Sequence, residues 1–159
     1  MCQLLSKKKL RLYLDCCCYN RPFDDLSDTR VQIESNAVIF FINLALSNDC
    51  VILGSEILNI EIGEIKNLSK KFKAKKLYEI ASEYVQCTSE IEKFAEEICD
   101  RTSIRFMDSL HIASAEFGKA DLFLTTDDKL IRMCKNISLR TRVVNPAILF
   151  KELIENVKV

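Results

Sequence analysis

The chain has 159 residues, 48% hydrophobic and 29% charged, a globular composition with core enough for a single domain over residues 1–159. With only 3 Gly and 2 Pro, it lacks the turn residues that an all-β sandwich or barrel needs. Lys plus Arg and Asp plus Glu each number 23, so no global charge draws it to nucleic acid, although a local basic groove stays open.

Residues 10–14 (LRLYL) read as a short apolar strand ending at Asp15. A long helical pattern follows over 28–47, with Val31, Ile33, Ala37, Val38, Phe41, Leu44 and Ala45 mostly on one side and Asp28 or Thr29 as N-cap. The run CVIL at 50–53 has strand length. Gly54 and Ser55 then turn the chain into a helix reaching 65, and a lysine-rich stretch merges into another helix around 72–82. Residues 84–87 have strand character, and Thr88 opens a helix to about 100, with the capping acid Glu92 one position late. Residues 106–117 form a strongly apolar helix closed by Gly118 at a C′ position. DLFL at 121–124 reads as a buried strand, and Asp127 opens the next helix. Val143 and Val144 make a last strand before a helix with Pro146 in its first turn. This alternation implies an α/β fold with a parallel sheet and helices on both faces.

The 8 cysteines do not make a secreted disulfide scaffold. After Lys7, Lys8 and Lys9, the apolar run 10–14 is broken by Arg11 and too short for a signal segment. The longest apolar stretch, 37–46, carries Asn43 and falls short of a membrane span of about 20 residues. The expectation is a cytoplasmic protein with reduced thiols and no membrane partner. Cys16, Cys17 and Cys18 are contiguous, would alternate faces on a strand, and have no C-x-x-C pair or second histidine to complete a zinc site.

In parallel sheets, functional residues gather beyond the carboxyl ends of the strands. Asp15, Glu56 and Asp127 all fall at such ends. Asp108 lies inside the apolar helix, facing His111, Ile112 and Ala115, where an unpaired carboxylate is costly. Four carboxylates meeting in one cleft repel each other and call for cations, and an all-oxygen set suits Mg²⁺ or Mn²⁺. Two such ions about 4 Å apart would activate a water and stabilise the leaving oxygen of a phosphodiester. The plainer readings are that Asp127 is an N-cap, Glu56 complements a helix dipole and Asp15 is a turn residue. His111 reads as a packed or hydrogen-bonded helix residue rather than a ligand, and Glu61 and Glu64 stand behind the site or lie in solvent.

In that order, LYLDCCCYNRPFDD, GSEIL, MDSLHIASAE and LFLTTDDKL resemble the motifs of PIN-domain proteins, a family that includes VapC-type ribonuclease toxins. The NRPFDD segment resembles one prokaryotic branch of it, and the likeness spans residues 10–150. It implies a three-layer α/β/α sandwich with a central parallel sheet. It also implies Mg²⁺ or Mn²⁺ held by Asp15, Glu56, Asp108 and Asp127, with Asp127 preferred to Asp128. Single-stranded RNA is the implied substrate, and an antitoxin protein and a second copy in a homodimer are the implied partners. Relatives often carry a small hydroxyl residue after the first Asp, where this chain has Cys16.

Asn20 and Arg21 follow the first strand, where they either contact substrate phosphate or brace the loop before Pro22. Lys66, Lys70, Lys71, Lys73, Lys75 and Lys76 form a run without an acid, and Phe72 and Leu77 between them suit one apolar stripe on a basic helix. That run reads either as a phosphate-binding flank beside the acidic cleft, with Lys70, Lys71 and Lys73 as the substrate-binding candidates, or as a solvated face. The leading function is a metal-dependent endoribonuclease, extending to the toxin of a toxin–antitoxin pair. The alternative is a PIN-type nucleic-acid-binding module with weak catalysis.

Overall fold

The computed structural model describes residues 8–157, so the expectation drawn on Lys7 lies outside the described residues. Five short strands form one all-parallel sheet: β1 (Leu10–Leu14), β2 (Cys50–Ser55), β3 (Glu83–Val85), β4 (Leu122–Leu124) and β5 (Arg142–Val144), in the order β3-β2-β1-β4-β5. The helices are α1 (Cys16–Asn20), α2 (Thr29–Leu46), α3 (Glu56–Gly63), α4 (Leu68–Tyr78), α5 (Ser89–Arg101), α6 (Phe106–Phe117), α7 (Asp128–Cys134) and α8 (Pro146–Val157). None is long and apolar enough to cross a membrane.

Strand order explains the three layers. The connection from β1 through α2 to β2 travels one way across the sheet, and that from β3 through α5 and α6 to β4 travels back. Right-handed crossovers in opposite directions place their helices on opposite faces. The strands between those layers read as continuous apolar runs because both faces are covered, and Leu12, Tyr13, Leu14, Ile52, Leu53, Phe123 and Leu124 are wholly buried. On one side Val38 and Phe41 of α2 enter the core, and the Phe40 and Phe150 rings join α2 to α8 edge-on with centroids 4.8 Å apart. A second apolar cluster, Ile57, Ile91, Ala95, Leu110 and Ala113, knits α3, α5 and α6.

Local signals set most boundaries. Asp28, Ser55, Asn67, Thr88 and Asp127 each cap a helix by accepting a backbone N–H with the side chain. Two glycines differ from the sequence expectation. Gly54 makes no turn; it lies within β2, and a Cβ there would fall 2.7 Å from the Tyr78 hydroxyl, which bonds the Ser55 backbone on both sides. Gly118 has φ −71 rather than a left-handed value, which Lys119 adopts instead at φ 57. Glycine stands at 118 for space, since a Cβ would fall 2.7 Å from Val85 Cγ2 and 2.9 Å from Ser114 O.

The segment after Asp15 is also a correction. It is not loop or continued strand but helix α1 followed by a 3-10 turn (Arg21–Phe23). The three thiols therefore lie about 100° apart around a helix. Cys16 and Cys18 point into the core and Cys17 is half-buried. All cysteines among the described residues are free.

Candidate active site

The strand order reverses direction at β1, so the carboxyl ends of β1 and β4 open a crevice of the kind where ligands bind in parallel sheets. Asp15 sits at its floor. Its backbone N–H continues the sheet by donating to Leu124 O at 2.9 Å, which holds the side chain beside the residues that follow β4. Asp15 Oδ1 accepts from the Cys16 N–H at 2.7 Å, and Oδ2 accepts from the Thr125 hydroxyl at 2.8 Å. Thr125 thus supplies the hydroxyl donor that Cys16 lacks.

Asp15, Glu61 and His111 bring one ligand-capable atom each within 4.8 Å of one another. Glu61 comes from α3 and His111 from α6. His111 Nε2 meets Glu61 Oε2 at 2.6 Å, and Nδ1 meets the Tyr13 hydroxyl at 2.8 Å. One turn earlier on α6, Asp108 is buried and accepts from Arg105 Nε at 3.0 Å, while Arg105 itself stays exposed. The Asp15 carboxyl is held above its ordinary value, first by burial and further by the charges of Glu61 and Asp108, against the pull of His111 and the Thr125 hydrogen bond. For His111, burial works against the imidazolium, but the Glu61 hydrogen bond and the charges of Asp15 and Glu61 outweigh it and raise its pKa.

Glu56 lies elsewhere. Its carboxylate accepts from the Cys87 backbone N–H at 3.0 Å, on the side of α3 that meets the segment between β3 and α5. Glu61 is five positions beyond Glu56, which is about 140° around a helix, so one helix cannot aim both at Asp15. The buried stripe Ile57, Leu58 and Ile62 sets the rotation of α3 and selects Glu61. Asp127 is exposed at the rim and caps α7 through the Leu130 N–H at 3.0 Å; its own N–H donates to Thr125 Oγ1 at 3.2 Å, tying it to the support of Asp15. Asp128 is drawn off by Arg30, which holds its carboxyl below the usual range through hydrogen bonds of 2.7 and 2.9 Å.

Asn20 and Arg21 have protein partners. Asn20 Nδ2 reaches Cys16 Sγ at 3.7 Å. Arg21 donates to Asp24 at 3.1 Å and to the Thr126 hydroxyl at 2.9 Å, and pairs with buried Glu34 at 2.9 Å, the bracing geometry rather than a free phosphate contact. Lys70 is ion-paired with Asp24, and Lys73 lies over the Phe23 ring at 5.7 Å. Lys71 is half-buried on the same helix. The apolar stripe of α4 runs through Ala74 and Leu77, and Phe72 faces solvent instead.

The carboxylates of the cluster are hard-oxygen donors whose negative charges are crowded and partly desolvated, and a divalent cation would relieve that repulsion. Asp15, Glu61 and Asp108 would hold it, with Asp127 at the rim. Thr125, Tyr13 and Ser55 support these groups; all three fall within the segments that resemble the family's motifs, but nothing in the sequence assigned them this part.

A PIN domain family model matches residues 41–136, more than half of the chain. No curated protein matches it. Among solved structures, a chain in the crystal structure of VapBC2 from Rickettsia felis bound to a promoter DNA fragment is similar in fold, with a TM-score of 0.60 at 13% identity. The likeness covers 86% of this chain and 98% of that one.

Proposed function

From the premise that the chain belongs to the PIN domain family, we propose that it is a metal-dependent endoribonuclease that hydrolyses phosphodiester bonds in single-stranded RNA. The supporting observation is the closeness of Asp15, Glu61 and His111 in the crevice between β1 and β4, with Asp108 near enough that its charge, with burial and Glu61, raises the Asp15 carboxyl.

Mg²⁺ or Mn²⁺ held there would polarise the phosphodiester and lower the pKa of an attacking water. The chain's own residues do the rest. Asp15 is fixed by Cys16 N–H and Thr125, which hold its carboxylate in one orientation. Glu61 is steadied by His111, and Asp108 is anchored by Arg105. The exposed guanidinium of Arg105 lies within the field of Asp127 and Glu61, and its N–H groups not used on Asp108 would be open to a substrate phosphate. Lys71 and Lys73 on α4 extend positive charge toward the approaching strand.

The finer reading is the toxin of a toxin–antitoxin pair, acting in the cytoplasm as a homodimer and held in check by an antitoxin protein. The fold shared with a VapBC2 chain supports it. The test incubates purified protein with mixed RNA and Mn²⁺, beside Asp108→Asn and an EDTA control. Cleavage by wild type alone supports the proposal. Cleavage that survives both the substitution and the chelator overturns the metal assignment, and no cleavage by wild type across varied RNAs favours a binding module.

A further inference from the structure

His111 is the chain's only histidine, and it is fully buried, yet both of its nitrogens have partners. Nε2 lies 2.6 Å from Glu61 Oε2 and Nδ1 lies 2.8 Å from the Tyr13 hydroxyl. The Tyr13 hydroxyl in turn lies 2.8 Å from Ser55 Oγ, which already accepts the Leu58 backbone N–H at 3.0 Å. Side chains from the end of β2, from β1, from α6 and from α3 thus form one line that ends on the carboxylate beside Asp15.

The direction of this line follows from its protons. Ser55 is wholly buried, and among the described residues its hydroxyl hydrogen finds one acceptor, the Tyr13 oxygen. Were Tyr13 to donate toward Ser55 instead, that hydrogen would be stranded in a dry interior at a cost of about 1–3 kcal/mol. Ser55 therefore donates to Tyr13, and Tyr13 donates to Nδ1. The proton of a neutral ring then sits on Nε2, aimed at Glu61. Among the described residues, His111 is the only hydrogen-bond partner of the Glu61 carboxylate, which is otherwise free to swing into solvent.

We propose that His111 is a positioning residue: the Ser55–Tyr13 pair locks it as the Nε2–H tautomer, and that proton holds the Glu61 carboxylate where it receives a divalent cation. This rests on the metal-dependent reading above. A ligand carboxylate with a fixed donor keeps its second oxygen for the ion, and loss of such outer partners weakens metal binding by about 10–100-fold.

Because the chain holds one histidine, ring ¹⁵N–¹H spectra of the full labelled protein report on it without ambiguity. They are taken well above the ordinary imidazole range of about 6.5, without and with Mg²⁺. The expected result is a proton on Nε2 that survives Mg²⁺ addition. A proton on Nδ1, or loss of the Nε2 proton when Mg²⁺ is added, overturns the proposal; the second outcome makes His111 a ligand itself. Calorimetry with Mn²⁺ supplies the other arm. His111→Leu is expected to bind about 10–100-fold more weakly, and His111→Gln, whose amide reaches near the Nε2 position, to recover most of that loss. Equal affinity of the Leu variant and wild type overturns the proposal. Should the Leu variant fail to fold, Tyr13→Phe replaces it, with a mixed ring tautomer and weaker Mn²⁺ binding expected and an unchanged pure Nε2–H ring overturning the lock. Wild type that binds neither ion overturns the metal-dependent reading, and the ring proton then decides the Glu61 contact alone.

Discussion

Thr125 donates its hydroxyl proton to Asp15 Oδ2 across 2.8 Å, joining the residue after β4 to the residue after β1 at the point where the sheet reverses direction. The Thr125 hydroxyl oxygen in turn accepts the Asp127 N–H at 3.2 Å. One buried hydroxyl therefore sets both the floor and the rim of the crevice.

Replacing it with an isosteric apolar group tests that role. Thr125→Val leaves the Asp15 oxygen and the Asp127 N–H without their partner, at about 1–3 kcal/mol of stability. Metal-dependent RNA cleavage is expected to fall with it, and Thr125→Ser to restore both. Urea denaturation and initial rates with Mn²⁺ measure the two effects.

Glu56 and Glu61 separate by their directions on α3. Glu61→Gln is expected to lower Mn²⁺ affinity by more than about 100-fold, a loss beyond that of an outer partner. Glu56→Gln, which touches only the Cys87 N–H, is expected to bind the ion like wild type. The reverse order would move the ion to the other side of the helix.

The cluster should make metal-free stability fall as pH rises. Burial, then Glu61 and Asp108, raise the Asp15 carboxyl. A raised carboxyl stabilises the fold fully below its unfolded value of about 3.9 and loses that contribution as pH climbs through the folded value. His111, raised by Glu61 and Asp15 against burial, acts the same way above about 6.5. Melting temperatures across this range are expected to decline without a divalent ion and to flatten with saturating Mg²⁺. A profile that Mg²⁺ leaves unaltered would contradict the site.

Glu34 should prove costly to remove although it lies away from the acids. It is buried, pairs with Arg21 and Arg30 at 2.9 Å each, and accepts from Asn145 at 2.7 Å. Glu34→Ala breaks a buried pair, which costs about 3–5 kcal/mol. The low end is expected here, because both guanidiniums keep contact with water. Chemical denaturation reads the loss. Looser Arg21 would also release Thr126, so cleavage is expected to weaken alongside stability.

Much of the fold was legible in local pattern. The continuous apolar runs LRLYL, CVIL and DLFL mark strands buried on two faces, and Asp28, Thr88 and Asp127 mark helix starts because a short polar side chain satisfies a free N–H. Helix α1 was not legible, since three cysteines carry no helical periodicity and the Asp15 cap read as a turn. Phe72 read as part of an apolar stripe, but α4 packs through Ala74 and Leu77 and leaves that ring outside.

Local pattern was enough for the order of strands and helices and for Asp15 and Asp127 at carboxyl ends of parallel strands, because backbone preference and capping act over a few residues. It also singled out Asp108 as an acid with no cheap place in an apolar helix. The choice between Glu56 and Glu61, the Ser55–Tyr13–His111 line and the Thr125 bond to Asp15 all rest on long-range packing. The rotation of α3 about its own axis depends on how Ile57, Leu58 and Ile62 pack against residues distant in sequence. A turn of about 140° in that packing exchanges one acid for the other while local periodicity stays the same.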